Sequence, residues 1–180
     1  MIYQIKITLD RVRPSIWRRV QVLGDTTLSE LHHVIQVAMG WEDCHLHEFV
    51  IAGSRFAPEF DDDFYESEAS EEMHVKLSNL VRREKTKIRY TYDFGDGWDH
   101  TLTVEKILPP DPKTNYPICL KGKRACPLED CGGPWGYAAL LEAQEHPEDP
   151  KNEERLEWAG DFDPEAFDLD RINARLQSSR

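Results

Sequence analysis

The chain has 180 residues, of which 39% are hydrophobic and 31% are charged, and its formal net charge is −12. This length fits one domain with a buried core, and the negative charge disfavours non-specific nucleic-acid binding, which needs Lys and Arg to neutralise phosphates. Since the sequence contains no run of 18 apolar residues and no signal-peptide pattern, we expect no transmembrane helix, no membrane partner and no secretion.

The cysteines and the clustered arginines bear on the cellular location and on possible partners. Because no secretion signal is present, we expect a cytoplasmic protein whose cysteines are reduced thiols or metal ligands rather than disulfides. Basic residues gather near the N-terminus, so a basic N-terminal face that contacts nucleic acid is an alternative to ordinary solvated strand edges. The cysteines are Cys44, Cys119, Cys126 and Cys131, and the arginines are Arg11, Arg13, Arg18 and Arg19.

The first third of the chain predicts two strands followed by a helix. Apolar and polar residues alternate in "MIYQIKITLD", and "IWRRVQVL" follows a break at "RVRPS", which indicates a hairpin. Thr27 and Glu30 form a capping box, and apolar residues then recur at helical spacing up to Gly40, which suits the position after a helix end. These signals predict a helix over 27–39.

The middle of the chain predicts one more strand and a hairpin. The string "HLHEFVIAG" indicates a strand with His45 and His47 on one face, and the acidic stretch 54–74 that follows indicates a mobile loop. The string "VKLSNLV" fits either a helical turn or an edge strand. Two strands then flank the glycine-containing turn 95–97. The predicted core face of this hairpin consists of Ile88, Tyr90, Tyr92, Phe94, Trp98, His100, Leu102 and Val104, with Asp93 on the outer face.

The predicted architecture is a single α+β domain spanning residues 1–180. Its β-β-α-β-β-β core, residues 1–108, resembles a β-grasp, in which a long helix packs across a mixed or antiparallel sheet. A cysteine- and glycine-rich loop is expected at 109–133, followed by a helical extension at 134–180. The side chains expected to anchor that extension on the core are Trp135, Tyr137, Trp158 and Phe167.

Histidines on apolar strand faces suggest a metal centre. If their strands are neighbours, His45, His47 and His100 converge, and Cys126 adds a thiolate, which together suit zinc. The alternatives are that each histidine is a hydrogen-bonded core residue, or that the histidines act in catalysis without metal. Because neighbouring strand residues face opposite sides, Cys44 is expected to point away from His45.

A second set of polar residues indicates a functional surface near the hairpin turn. Asp93-Phe94-Gly95 is not a kinase signal, because the glycine-rich loop, the V-A-I-K lysine and the H-R-D loop are all missing. The segment "CPLEDCGGPWGY" places two carboxylates beside a helix start, where they favour either acid–base chemistry or a simple helix-entry loop. The predicted surface consists of Asp93, Asp96, Trp98, Glu129 and Asp130.

Four ordered strings resemble the plasmid pRiA4b ORF-3-like family: "RPSIWRRVQV", "WEDCHLHEF", "YDFGDGWDH" and "RACPLEDCGGPWGY". The resemblance implies a single α+β domain, a link to mobile elements through insertion-element passenger or TnpR-like descriptions, and no established activity. The resolvase label is a poor fit here, because Ser15 lies between Pro14 and Ile16 and the C-terminal third is acidic. The family pattern marks Trp41, His45, His47, Asp93, Asp96, Trp98, His100, Cys126, Glu129 and Asp130, among others.

Three functions follow as expectations. The first is a binding or accessory domain associated with mobile elements, with a protein or small molecule as partner. The second is a metal-dependent enzyme or a zinc-stabilised domain that uses His45, His47 and His100. The third is a DNA-associated accessory protein that uses the N-terminal arginines.

Overall fold

A computed structural model of the chain describes residues 1–58 and 69–178. In these residues eight strands form one sheet, together with five α-helices and a 3-10 turn at Pro150–Asn152. The strands are β1 (Ile2–Leu9), β2 (Trp17–Leu23), β3 (His47–Ile51), β4 (Ser54–Ala57), β5 (Ser70–Glu71), β6 (Lys87–Tyr92), β7 (Trp98–Leu108) and β8 (Ile118–Lys123). The helices are α1 (Leu28–Met39), α2 (Leu77–Leu80), α3 (Gly133–Glu145), α4 (Glu153–Ala159) and α5 (Leu169–Ser178).

The sheet has the order β5-β4-β3-β6-β7-β1-β2-β8. Its neighbours are antiparallel, except for β4 and β5, which are parallel, so the sheet is mixed. The five strands predicted from hydrophobic alternation are β1, β2, β3, β6 and β7, and they occupy its contiguous centre. The single-domain α+β fold is therefore confirmed, and the strands that the sequence did not indicate lie at the two edges.

Helix α1 begins and ends where the sequence predicts. The Thr27 side chain accepts the Glu30 N–H, and the Glu30 carboxylate accepts the Thr27 N–H, so the capping box is formed. Gly40 adopts a left-handed φ of 105° and closes the C-terminus. The apolar face of α1 joins the core side of the sheet, and α5 also contacts the helix.

Three local predictions need correction. The acidic stretch 54–74 contains β4, β5 and the buried Glu72, while residues 59–68 lie outside the described part of the chain. The stretch 109–133 is not a loop throughout, because β8 pairs with β2 and extends the sheet by one strand. Phe94 is exposed and Asp93 is buried, the reverse of the prediction, because the strand ends at Tyr92 and the alternation ends with it. The ambiguous "VKLSNLV" contains the short helix α2.

The C-terminal helices pack on the core through only some of the predicted anchors. Tyr137 is buried and Phe167 is partly buried against the core, and Phe167 also stacks on the Arg18 guanidinium. The other two predicted anchors, Trp135 and Trp158, are 87% and 52% exposed. They lie on the solvent side of α3 and α4 because these short helices bury only one narrow face.

No helix in residues 1–58 and 69–178 combines the length and apolar character that crossing a bilayer requires.

Candidate functional site

Three segments meet at one end of the sheet: the residues before β3, the turn between β6 and β7, and the loop before α3. The Asp93 N–H donates to the Leu46 carbonyl at 2.8 Å, which joins the first two segments. The Gly132 N–H donates to Asp96 Oδ2 at 3.1 Å, which joins the last two. This end of the molecule is thus held by one backbone–backbone hydrogen bond and by one bond from the backbone to the Asp96 carboxylate.

His45 lies at the centre of this junction, in the loop that precedes β3. Its Nε2 atom is 3.0 Å from Asp130 Oδ1, 3.7 Å from Asp93 Oδ2 and 3.9 Å from Glu129 Oε2. Although the distance to Asp130 is short, Nε2 has no partner in hydrogen-bond geometry, and Glu129 Oε2 has none either. Both atoms are sealed from solvent, and His45 Nε2 has three carboxylate oxygens within 4 Å without a hydrogen bond to any of them.

The second oxygen of two of these carboxylates is already occupied. Asp93 Oδ1 accepts the Gly95 N–H at 2.9 Å. Glu129 Oε1 accepts the Glu42 N–H at 2.8 Å and the Tyr92 hydroxyl at 3.0 Å. Burial raises the pKa of the Tyr92 hydroxyl, so this group stays protonated and remains a donor. These bonds fix the carboxylates and leave one free oxygen of each directed at His45.

The spacing of these atoms suits the ligands of one metal ion. Bonds of about 2.1 Å in a tetrahedral shell put neighbouring ligand atoms about 3.4 Å apart, close to the separations around His45 Nε2. The potential ligand atoms of His45, Asp93 and Asp130 all lie within 4.8 Å of one another, as do those of Cys44, His45 and Glu129. The two groups share only His45, so an ion that binds His45, Asp93, Asp130 and Glu129 together requires the Glu129 carboxylate to move closer to the two aspartates. An imidazole with carboxylates, and a thiol at its edge, is a donor set that zinc accepts.

Two glycines allow the backbone to approach this closely. A Cβ on Gly133, whose φ is 68°, would lie 2.4 Å from the Asp96 carbonyl oxygen, so the loop before α3 touches the hairpin turn directly. A Cβ on Gly136 would lie 1.8 Å from the Cys131 carbonyl oxygen. The "CGGPWG" string therefore serves close packing that brings Glu129 and Asp130 to His45.

His47 belongs to a separate buried cluster. Its Nε2 is 3.1 Å from both carboxylate oxygens of Glu72, and its ring stacks on His32 with centroids 3.4 Å apart and planes within 5° of parallel. The ligand atoms of His32, Asp43 and His47 are also within 4.8 Å of one another. However, imidazole lone pairs lie in the ring planes, and an ion midway between parallel rings would be roughly 1.7 Å out of each plane with bonds of about 2.1 Å. The stacked pair therefore does not share a metal well.

Hydrogen bonds instead satisfy His32. Its Nδ1 is 2.8 Å from the Tyr90 hydroxyl, and its Nε2 is 2.8 Å from Asp43 Oδ1. Gln36 completes the network by donating to the Tyr90 hydroxyl and accepting the Asp43 N–H. Burial, and then the neighbouring His47, lower the pKa of His32 to about 4, so this imidazole is neutral near pH 7.

The predicted four-residue metal set needs correction, because the structure does not bring it together. His45 lies in a loop, not on the strand face of His47, since β3 begins only at His47. Among the described residues, no group of three potential ligands contains His100 or Cys126. His100 is fully buried beside Tyr90, and burial lowers its pKa to about 4. Cys126 is buried, and burial raises the pKa of its thiol.

The predicted surface lies mostly where the candidate centre is. Asp93, Glu129 and Asp130 surround His45, and Asp96 fastens the hairpin turn to the α3 loop, whereas Trp98 is buried in the core beneath them. Sequence reasoning missed Cys44, which is near His45 because the two residues are not in a strand. It also missed His32, Asp43 and Glu72, and it placed Tyr92 on the core face without a role at the site. A polar face on α1, where His32 and Gln36 are four residues apart, was the available signal for part of that network.

The N-terminal arginines are not a free basic face. Arg18 is 2% exposed and donates to the carbonyls of Ala38, Trp17 and Lys123. Arg19 forms a two-bond pair with Glu105, at 2.6 and 2.8 Å, and Arg11 pairs with Asp99 at 3.0 Å. Arg18 and Arg19 are therefore engaged within the fold, whereas Arg11 and Arg13 remain exposed, so the basic face is smaller than the four arginines predicted.

Comparison with known proteins places the chain among uncharacterised relatives. A family model described as plasmid pRiA4b ORF-3-like protein matches residues 1–171. The uncharacterized protein y4hQ of Sinorhizobium fredii (strain NBRC 101917 / NGR234) is 38% identical over 175 residues, which cover 96% of this chain and 89% of that protein. The crystal structure of a protein of unknown function, MM3350 from Methanosarcina mazei Go1, is similar with a TM-score of 0.85 and 40% identity, over 94% of this chain and 96% of that chain.

Proposed function

We propose that this chain, which belongs to the plasmid pRiA4b ORF-3-like family, is a metal-binding accessory protein whose ion is held by His45, Asp93, Glu129 and Asp130. The observation that carries the proposal is the convergence of three carboxylate oxygens on His45 Nε2, which lacks a hydrogen-bond partner. The plasmid origin of the family description supports an association with mobile elements.

Electrostatics support a divalent cation at this position. Three carboxylates within 4 Å of one imidazole repel one another unless a positive charge lies between them. A protonated imidazole supplies one unit of charge, whereas a divalent ion supplies two and also bonds the oxygens that lack donors. Zinc is the first candidate, because imidazole, carboxylate and thiolate are all among its ligands. Asp130 is 70% exposed, so the ion would be open to solvent on that side.

Hydrogen bonds to the ligands support the same assignment. Metal-binding carboxylates are usually held by a further hydrogen bond that fixes their orientation. Tyr92 and the Glu42 N–H do this for Glu129, and the Gly95 N–H does it for Asp93. Such prior fixation lowers the entropic cost of assembling the ligands around an ion.

Calorimetric titration of the purified, chelator-treated protein with zinc tests the proposal. We expect one equivalent to bind to the wild type and binding to weaken at least tenfold in His45→Ala, because a ligand is lost. His33→Ala is the matched control, since His33 is an exposed histidine on α1. The proposal fails if the wild type binds no zinc, or if the two histidine variants bind it equally well.

A further inference from the structure

A cleft lies beside the candidate metal centre, between α3 and α4. Its volume is about 400 Å³, which is within the range of roughly 300–1,000 Å³ typical of small-molecule sites. Gly136 and Leu140 line it from α3, and because they are four residues apart they share one face of that helix. Asp130 also lines the cleft, so the cleft and the metal centre have a residue in common.

The opposite wall of the cleft carries two cations and an indole. Arg155 and Trp158 are three residues apart on α4 and so share one face of that helix, while Lys151 lines the cleft from the 3-10 turn Pro150–Asn152. Lys151 pairs with Asp149 at 2.7 Å. Arg155 is exposed and has no ion pair with any residue in the described ranges 1–58 and 69–178. Glu154 also lines the cleft.

The charged residues that line the cleft are two cations, Lys151 and Arg155, and two carboxylates, Asp130 and Glu154. The protein carries a net charge of −12, so most of its surface repels an anion, and Arg155, the cation of this lining without an ion pair among the described residues, is the group open to one. A free guanidinium offers paired donors that match a phosphate. An indole beside it offers a flat apolar surface on which a planar ring stacks.

From this arrangement we infer that the cleft binds a small organic phosphate with a planar ring, of which a nucleoside monophosphate is the simplest example. Arg155 and Lys151 hold the phosphate, Trp158 and Leu140 contact the ring, and the end of the ligand near Asp130 reaches the metal ion. The contact with the ion rests on the proposed function, whereas the contacts with the phosphate and the ring depend only on α3, α4 and the 3-10 turn Pro150–Asn152.

Titration calorimetry with adenosine monophosphate on the zinc-loaded protein is the test. We expect saturable binding, with adenosine and ribose 5-phosphate each at least about tenfold weaker, because each lacks one of the two recognised groups. Inorganic phosphate should be weaker still. Arg155→Gln should weaken adenosine monophosphate about tenfold or more and leave adenosine unchanged. Arg89→Gln, at an exposed arginine outside the cleft lining, should match the wild type.

The result that would overturn the inference is no binding of adenosine monophosphate, or equal binding by the Arg155 and Arg89 variants. The same titration on zinc-free protein separates this inference from the metal proposal. Weaker binding without zinc supports the contact with the ion. Equal binding with and without zinc refutes that contact, while zinc stoichiometry alone decides whether the metal proposal stands. Trp158→Ala, whose fold is checked by circular dichroism, should lose the preference for adenosine monophosphate over ribose 5-phosphate.

Discussion

Replacing Tyr92 by Phe removes the hydroxyl that orients Glu129. In the structure this hydroxyl donates to Glu129 Oε1 at 3.0 Å and accepts the Cys44 N–H at 3.0 Å, and the residue is fully buried. The substitution keeps the ring and its contacts with Trp41, so packing changes little. Glu129 then retains only the Glu42 N–H, and its free oxygen is no longer fixed toward His45.

The expected magnitude follows from the two bonds that are lost. A hydrogen bond to a charged group contributes about 1.5–3 kcal/mol, and the Cys44 N–H can turn to water because Cys44 is exposed. We therefore expect the free energy of unfolding to fall by about 1.5–3 kcal/mol. Loss of a hydrogen bond to a metal ligand typically weakens metal affinity about 10–100-fold, so zinc affinity should fall by that factor.

Urea unfolding and zinc titration of Tyr92→Phe, both compared with Tyr3→Phe, form the assay. Tyr3 is also buried, and its hydroxyl donates to the Val81 carbonyl at 2.8 Å, far along the chain from the candidate ligands. Both variants should lose stability, but only Tyr92→Phe should lose zinc affinity. Equal zinc affinity in the two variants would refute the argument that Tyr92 positions a ligand.

Two further predictions concern buried histidines and a close glycine. His32 and His100 have folded-state pKa values of about 4, against roughly 6.5 when unfolded, so the unfolded chain binds more protons between these values. The free energy of unfolding is therefore highest above about pH 6.5 and falls as the pH drops toward 4. At pH 5 each histidine has lowered it by about 2 kcal/mol. His100→Leu should remove its share from the pH slope of urea unfolding, and an unchanged slope would contradict this. Gly136→Ala places a Cβ 1.8 Å from the Cys131 carbonyl oxygen, so it should cost about 1–3 kcal/mol of stability and weaken zinc binding through displacement of Asp130. If Gly136→Ala binds zinc as tightly as the wild type, the position of the loop before α3 does not affect zinc binding.

Hydrophobic alternation was sufficient to predict the centre of the sheet, but not its edges. Strands β1, β2, β3, β6 and β7 have one buried and one exposed face, or nearly so, and this gives a clear period of two. Strands β4 and β5 are only 4 and 2 residues long, and β8 reads "ICLKGK", in which the alternation is weak. Such edge strands are specified by their neighbours more than by their own residues.

The candidate site was predictable in composition but not in arrangement. Residue types and proximity to the hairpin turn indicated Asp93, Glu129 and Asp130. The partner histidine could not be assigned, because a shift of two residues in the start of β3 decides whether His45 shares a strand face with His47 or lies in the loop. His100 was correctly expected on the buried face of β7, yet its nitrogens lie near backbone atoms of Trp98 and Tyr90 without hydrogen-bond geometry. Burial on a shared face thus did not imply a shared metal.

Anomalous diffraction from crystals of the zinc-loaded protein locates the ion itself. We expect one peak at the zinc edge within about 2.3 Å of His45 Nε2 and of oxygens from Asp93, Glu129 and Asp130. No peak at this position, or a peak between His32 and Asp43 instead, would contradict this expectation.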